Sequence, residues 1–301
     1  MKQEPQSAPV VTKDVQPHPN TSYSKQKSYV KESASQIKAI AIEHGLDALI
    51  NDHAEQSSPF DRALERERRR RESRQHNLET IIKLAYKSCN KESAGQPDID
   101  WQQRFFDMAQ EIHNPLMQKL WAQVLKREVT NPGSTSLKAL KVLHEMSPKE
   151  AQTLQRAASL AVSFGTDSSK KLLVATKTTA GWLKLGSRIS TQSLNLGSYQ
   201  LPYSSLLVLM ELGVLHTSEL ESGQIQPEPP VLLTYQEETI TLRAQGTGTS
   251  LLYYRFTPTG NELCRLLGNK SNPDYWQQTL AALQQSFNLH SDSPSAIKHS
   301  V

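Results

Sequence analysis

The chain is short of cysteine, of apolar residues and of any long hydrophobic run, and each shortage removes a class of protein. Of its 301 residues two are cysteines, Cys89 and Cys264. They lie far apart and outside any C-x-x-C or Cys/His cluster, which excludes zinc-ligand spacing and a disulfide-rich scaffold. One disulfide or two thiols would satisfy the count. Two thiols in an intracellular protein, each filling apolar space, is the reading adopted. No stretch approaches the ~18–20 apolar residues of a spanning helix. The best candidate, Leu172 to Leu185, is broken by Lys177 and Lys184. The N-terminus, Met1-Lys-Gln-Glu-Pro-Gln-Ser, lacks the apolar stretch of a signal peptide. A soluble, cytoplasmic protein without a membrane span is expected. The apolar share, 37%, falls below the usual ~45–50%, as when polar tails dilute an ordinary core. The net charge of +4 is mild and does not by itself imply a polyanionic partner.

Chemical motifs are also missing. There is no Walker A, no G-x-G-x-x-G after a strand, no H-E-x-x-H and no G-x-S-x-G. Gly246 and Gly248 form a G-x-G, but a strand follows it and no helix opens there to hold a phosphate, so a hairpin tip is the better reading. Asp98 and Asp100 flank a helix start, where exposed N–H groups stabilise negative charge. Glu237 and Glu238 are adjacent on a predicted strand and face opposite sides, so they cannot share one proton. His113 and His144 border the helical core, where a boundary or surface histidine without a role is favoured over a ligand or general base. No catalytic residue, cofactor or metal site emerges, and the chain reads as not an enzyme. No solenoid repeat is visible either.

What is present is a succession of helical patterns. Residues 1–33 are rich in Pro, Ser, Gln and Lys and are expected to be disordered. Residues 34–58 form a short helix and linker, with Ile37, Ile40 and Ala41 on one side and Gly45 weakening it. Ser58-Pro59 opens a long helix to about Ser88, roughly 45 Å at 1.5 Å per residue. Its first half is nearly all charge: Arg62, Arg66, Arg68, Arg69, Arg70, Arg71 and Arg74 interleave with Asp61, Glu65, Glu67 and Glu72. Leu64 is almost alone among them, whereas Leu78, Ile81, Ile82 and Ala85 make an apolar stripe further on. The helix should anchor at its C-terminal end and project its N-terminal end into water.

Asp100 is the expected N-cap of a helix through Trp101, Phe105, Met108, Ala109 and Ile112. Asn114-Pro115 caps the next, with Leu120, Trp121, Val124 and Leu125 in its stripe. Asn131-Pro-Gly133 is a turn, a third helix runs from Ser136, and Ser147-Pro-Lys-Glu150 is a full capping box for a fourth reaching about Val162. Residues 166–199 are a linker of uncertain structure. Beyond them, a helix at 204–212, strands at 231–242 and 250–256 joined by the loop 245–249, and a helix after Thr257-Pro-Thr-Gly260 follow the order of a winged-helix tail. The segment 269–301 reads as a short helix and a frayed tail. The fold class is therefore mainly α: a helical core at 59–165 with a long charged N-terminal helix, plus a small α+β, winged-helix-like domain at 200–268.

Residues 98–156 resemble an uncharacterised bacterial family known only as a domain of unknown function. The shared elements are Asp100-Trp101, Arg104-Phe105-Phe106, Ala109-Gln110, Met117-Gln118, Leu120-Trp121-Ala122, Glu128 and Pro132-Gly133-Ser134. The Arg-rich helix before them and Glu211-Leu-Gly213 after them are similar as well. His113-Asn-Pro115 and Lys126-Arg127 depart from the family pattern at the surface. The resemblance implies a fold and carries no catalytic residue across.

Two surfaces can still be weighed. From 61 to 92 ten basic residues face six acidic ones, a net of +4, and consecutive arginines splay by ~100° around a helix. From 200 to 268 three basic residues face seven acidic ones, a net of −4, which argues against a DNA reader. The leading expectation is a non-enzymatic interaction or scaffold protein. Its charged helix and winged-helix-like module would contact an unidentified protein partner. Nucleic-acid binding through Arg62, Arg66, Arg68–Arg71 and Arg74 is the alternative.

Overall fold

A computed structural model describes residues 32–50, 58–179, 189–267 and 270–291. The expected disorder of 1–33 falls almost wholly outside the described residues, as do 186–188 of the predicted linker loop and 292–301 of the predicted frayed tail. The chain divides into two compact units, the first ending at Arg68 and the second beginning at Arg69.

The first unit holds α1 (Ser33–Glu43) and the opening turns of α2 (Pro59–Ser88). Ala41 is buried, whereas Ile37, Ile40 and Ile42 stay exposed. The start of α2 is set as the sequence implies: the Ser58 hydroxyl accepts the Asp61 N–H at 3.2 Å.

The second unit begins with the remainder of α2. Asn77, Ile81 and Ala85, four residues apart, are its buried positions. Then come α3 (Ile99–Ala109), α4 (Pro115–Thr130), α5 (Leu137–Glu145) and α6 (Pro148–Ser159). Their caps explain their limits. Asp98, not Asp100, caps α3 by accepting the Trp101 N–H at 2.9 Å. Asn114 caps α4 with Pro115 in its first turn, Ser136 caps α5, and Ser147 with Glu150 closes both bonds of the capping box on α6. Trp101 stacks on Phe105 at 5.2 Å, Phe105 meets Trp121 at 5.2 Å, and all three are buried. Burial of each such side chain contributes roughly 1.5–3 kcal/mol.

The fold class differs from the mainly α expectation. Among the described residues eight strands form one antiparallel sheet, so the fold is α+β. They are β1 (Val162–Phe164), β2 (Asp167–Thr179), β3 (Ile189–Ser193), β4 (Leu220–Glu221), β5 (Val231–Tyr235), β6 (Glu238–Ala244), β7 (Thr249–Arg255) and β8 (Phe287–Ser291). The order is β4-β7-β2-β1-β5-β6-β8, with β3 pairing the second half of β2. The residues expected to be a linker thus supply β2, which pairs β1, β3 and β7. The boundary drawn at 165/166 lies in the turn joining β1 to β2.

The expected hairpin of a separate winged-helix-like domain also fails. Its first strand splits into β5 and β6, which pair with each other around Gln236. The 245–249 loop then joins strands that are not neighbours, because β6 takes β8 on its other side and β7 lies between β2 and β4. Residues 287–291, expected to fray, are that β8. The unit also holds α7 (Tyr203–Glu211), α8 (Pro258–Leu266) and α9 (Pro273–Gln284). A single buried cluster runs from Ile81 through the helices and sheet to Phe287. Cys264 is buried in it, but Cys89 is exposed, so only one thiol acts as apolar filler; both are free.

Candidate interaction surface

The two halves of α2 have opposite surroundings. In the C-terminal half, Asn77 donates to the Gln110 carbonyl at 2.9 Å and accepts from the Gln118 amide at 3.2 Å. Gln118 also donates to the Ile112 carbonyl at 2.9 Å. These two buried amides satisfy the backbone that turns from α3 into α4, a task that an apolar pair could not perform. The Ile81–Ala85 stripe and a Lys126 ammonium donating to the Ser88 carbonyl at 2.7 Å complete the anchor.

Towards the N-terminus the helix is solvated. Phe60 is 74% exposed and Leu64 62%. Of the seven candidate arginines, Arg66 and Arg68–Arg71 are exposed, and Arg62 and Arg74 are half-buried. Arg68 grips Glu65 with two bonds of 2.9 Å, one turn back along the helix. Arg62, Arg69 and Arg71 have interactions of their own, as do Glu67 and Glu72. Arg74 leaves the set: its guanidinium pairs with Glu111 at 2.9 Å, and Glu111 also faces His144 Nε2 at 3.4 Å. His113, close by, shares a hydrogen bond with Ser73 at 3.2 Å. The two histidines therefore sit in the contacts that tie α2 and α5 to the connection between α3 and α4.

Other polar clusters have structural tasks. The Glu128 carboxylate, 1% exposed, accepts the N–H groups of Gly133 and Thr135 and the Ser134 hydroxyl, and so fixes the Asn131–Ser136 turn. Sequence reasoning assigned no task to this residue. Its signal was spacing, since Glu128 follows Val124 by one helical turn on the buried stripe. Lys171, 3% exposed, donates to the carbonyls of Phe164, Asp167 and Ser169 and lies over the Phe164 ring at 4.7 Å. Asp167 accepts from the Ser169 hydroxyl and pairs with Arg255 at 2.9 Å. The Ser169 hydrogen bonds, with Lys171 and Arg255 behind them, lower the Asp167 carboxyl to about 2 against some opposing desolvation. Asp98 serves as a cap, and Glu238 accepts the Trp276 indole N–H at 2.7 Å.

An open groove of about 180 Å³ lies between α4, α6 and the end of α8, lined by Leu116, Lys119, Leu120, Gln123, Ala151, Gln155 and Leu267. Among the described residues Lys119 is the one titratable group on its wall, so these residues bring together no acid–base pair there. Among the described residues, no group of three or more His, Cys, Asp or Glu is placed to hold a metal ion. Among the same residues, no helix is long and apolar enough to cross a membrane.

A family model described as Protein of unknown function (DUF2806) matches residues 61–280. The chain belongs to this family. The match runs from the first turn of α2 into α9, so the family's unit includes the charged helix, the helical layer and most of the sheet. The family resemblance drawn from residues 98–156 is thereby shown over a longer span. Within DUF2806 as this chain presents it, Trp101, Glu128 and the Pro132-Gly133-Ser134 turn form one unit, because the Trp101 indole donates to the Thr135 carbonyl at 2.8 Å. No curated protein and no solved structure matches the chain.

Proposed function

We propose that this DUF2806 protein is a non-enzymatic cytoplasmic interaction protein whose N-terminal half of α2 is a protein-contact element. The observation that carries the reading is the contrast along one helix: Phe60 and Leu64 are solvated among arginines, whereas Asn77, Ile81 and Ala85 are buried. Exposed aromatic and arginine side chains together are the composition of interface centres. Two free cysteines suit a reducing compartment. The non-enzymatic reading is supported by the structural tasks that occupy Glu128, Lys171, Asp167 and the two histidines. A second protein surface is offered by α7, where Tyr203 (62% exposed), Leu207 (48%) and exposed Glu211 follow each other at four-residue steps.

Nucleic acid remains the alternative occupant of the same arginines. It is the weaker reading, because Arg68 is already held by Glu65 and Arg74 by Glu111. The test is capture from nuclease-treated and untreated lysate, comparing the full chain with an Arg66→Glu/Arg70→Glu variant. Protein partners that survive nuclease and are lost with the variant support the protein reading. Binding that nuclease abolishes, with a steep salt dependence, supports the alternative.

A further inference from the structure

The apolar and charged residues around α1 and the start of α2 narrow the partner further. Ile37, Ile40 and Ile42 of α1 are 60%, 48% and 50% exposed. Ile42 lies about 140° around the helix from Ile37 at 3.6 residues per turn, so α1 shows apolar surface on two sides. The turn after it adds Leu46, Leu49 (98% exposed) and Ile50, and α2 adds Phe60 and Leu64. Single soluble chains rarely leave apolar patches beyond a few hundred Å². Eight exposed large apolar side chains within residues 37–64 go beyond the scattered single exposures of an ordinary surface.

Charge indicates what covers them. Residues 32–50 carry Lys38 against Glu32, Glu43 and Asp47, a net of −2. Residues 59–71 carry Arg62, Arg66 and Arg68–Arg71 against Asp61, Glu65 and Glu67, a net of +3. An acidic apolar segment is repelled by anionic lipid and by nucleic acid, and it complements a cationic helix bearing Phe60 and Leu64. Both halves of that match occur in one chain.

We propose that two copies of this chain associate here, with α1 of each lying against the N-terminal half of α2 of the other. A two-fold axis makes both contacts at once, which is the self-complementary arrangement of a closed dimer. The proposal rests on the reading of α2 as a contact element and names its occupant.

Sedimentation velocity of the full chain across the micromolar range tests it. The expected result is a dimer. Glu32→Lys/Glu43→Lys takes residues 32–50 from −2 to +2, and Arg66→Glu/Arg70→Glu takes residues 59–71 from +3 to −1. Each pair should weaken the dimer by about tenfold or more, and the four substitutions together should recover it. Leu49→Ser, at an exposed turn position, weakens it independently. A chain that is monomeric throughout, a dimer indifferent to these changes, or failure of the combined variant to recover overturns the proposal. So does binding to phosphatidylglycerol-containing vesicles in place of self-association. A monomer that still captures proteins through Arg66 and Arg70 overturns the dimer alone and leaves the protein-contact reading standing.

Discussion

Glu128 accepts the backbone N–H of Thr135 at 2.9 Å, seven residues further along the chain and across the turn that separates α4 from α5. The same carboxylate takes the Gly133 N–H, and Thr135 in turn accepts the Trp101 indole N–H through its carbonyl. One buried acid thereby connects α4, the turn and the start of α3.

Removing that acid should be costly. Glu128→Ala strands two N–H groups in a site where the carboxylate is 1% exposed, and the expected loss is about 3 kcal/mol of unfolding free energy. Glu128→Gln keeps an acceptor and should lose roughly half as much. Urea unfolding followed by tryptophan fluorescence measures both. Equal stability of Glu128→Ala and the parent would contradict the assigned task.

The two cysteines should react at very different rates. Burial pushes the Cys264 thiol up to about 12, whereas Cys89 is exposed. A thiolate-selective reagent at mildly alkaline pH should label one thiol per native chain and two after denaturation. Peptide mapping that finds native label on Cys264 would show that the α8 packing is wrong.

Asp167 should contribute to acid stability. Its folded value of about 2 lies below the ordinary 3.8. A depressed carboxyl stabilises the fold above its unfolded value, and the contribution disappears as pH falls from about 4 to about 2. Its side chain is 41% exposed, so solvent screening reduces the contribution to about 1 kcal/mol. Asp167→Asn should lower stability at neutral pH and flatten the curve in that acid window. A parallel curve, displaced by the same amount at every pH, would contradict the assignment.

Gly260 should not tolerate a side chain. A Cβ there would collide with the Val214 carbonyl where α8 crosses the turn after α7. Gly260→Ala is expected to cost about 3 kcal/mol, read as a drop in melting temperature.

The helices were legible in the sequence because their signals are local. Asn114-Pro115 and Ser147 to Glu150 place caps within four residues of the apolar stripes they precede. The sheet was not, because its pairings are remote. β2 meets β7 through Lys171 and Arg255, 84 positions apart, as 255 − 171 shows. Its lysines and threonines also dilute the apolar alternation. The loop 245–249 carries the glycines of a hairpin turn yet joins strands that do not pair. The actual hairpin turns on Gln236, a residue with φ of 52° and no glycine signal. Its side-chain amide donates to the carbonyls of Ala158 and Ser159 at the end of α6, contacts that offset the unfavourable backbone. The contrast along α2 was readable, since it needs only the composition of each half. Withdrawal of Arg74 by Glu111 was not readable, because that pair spans 37 positions.

The most direct test is capture from lysate by the full chain and by its Arg66→Glu/Arg70→Glu variant, each with and without nuclease. Protein partners that persist through nuclease treatment and disappear with the charge reversal are the expected outcome. An identical set of partners on both chains would contradict the assignment of the N-terminal half of α2 as the contact element.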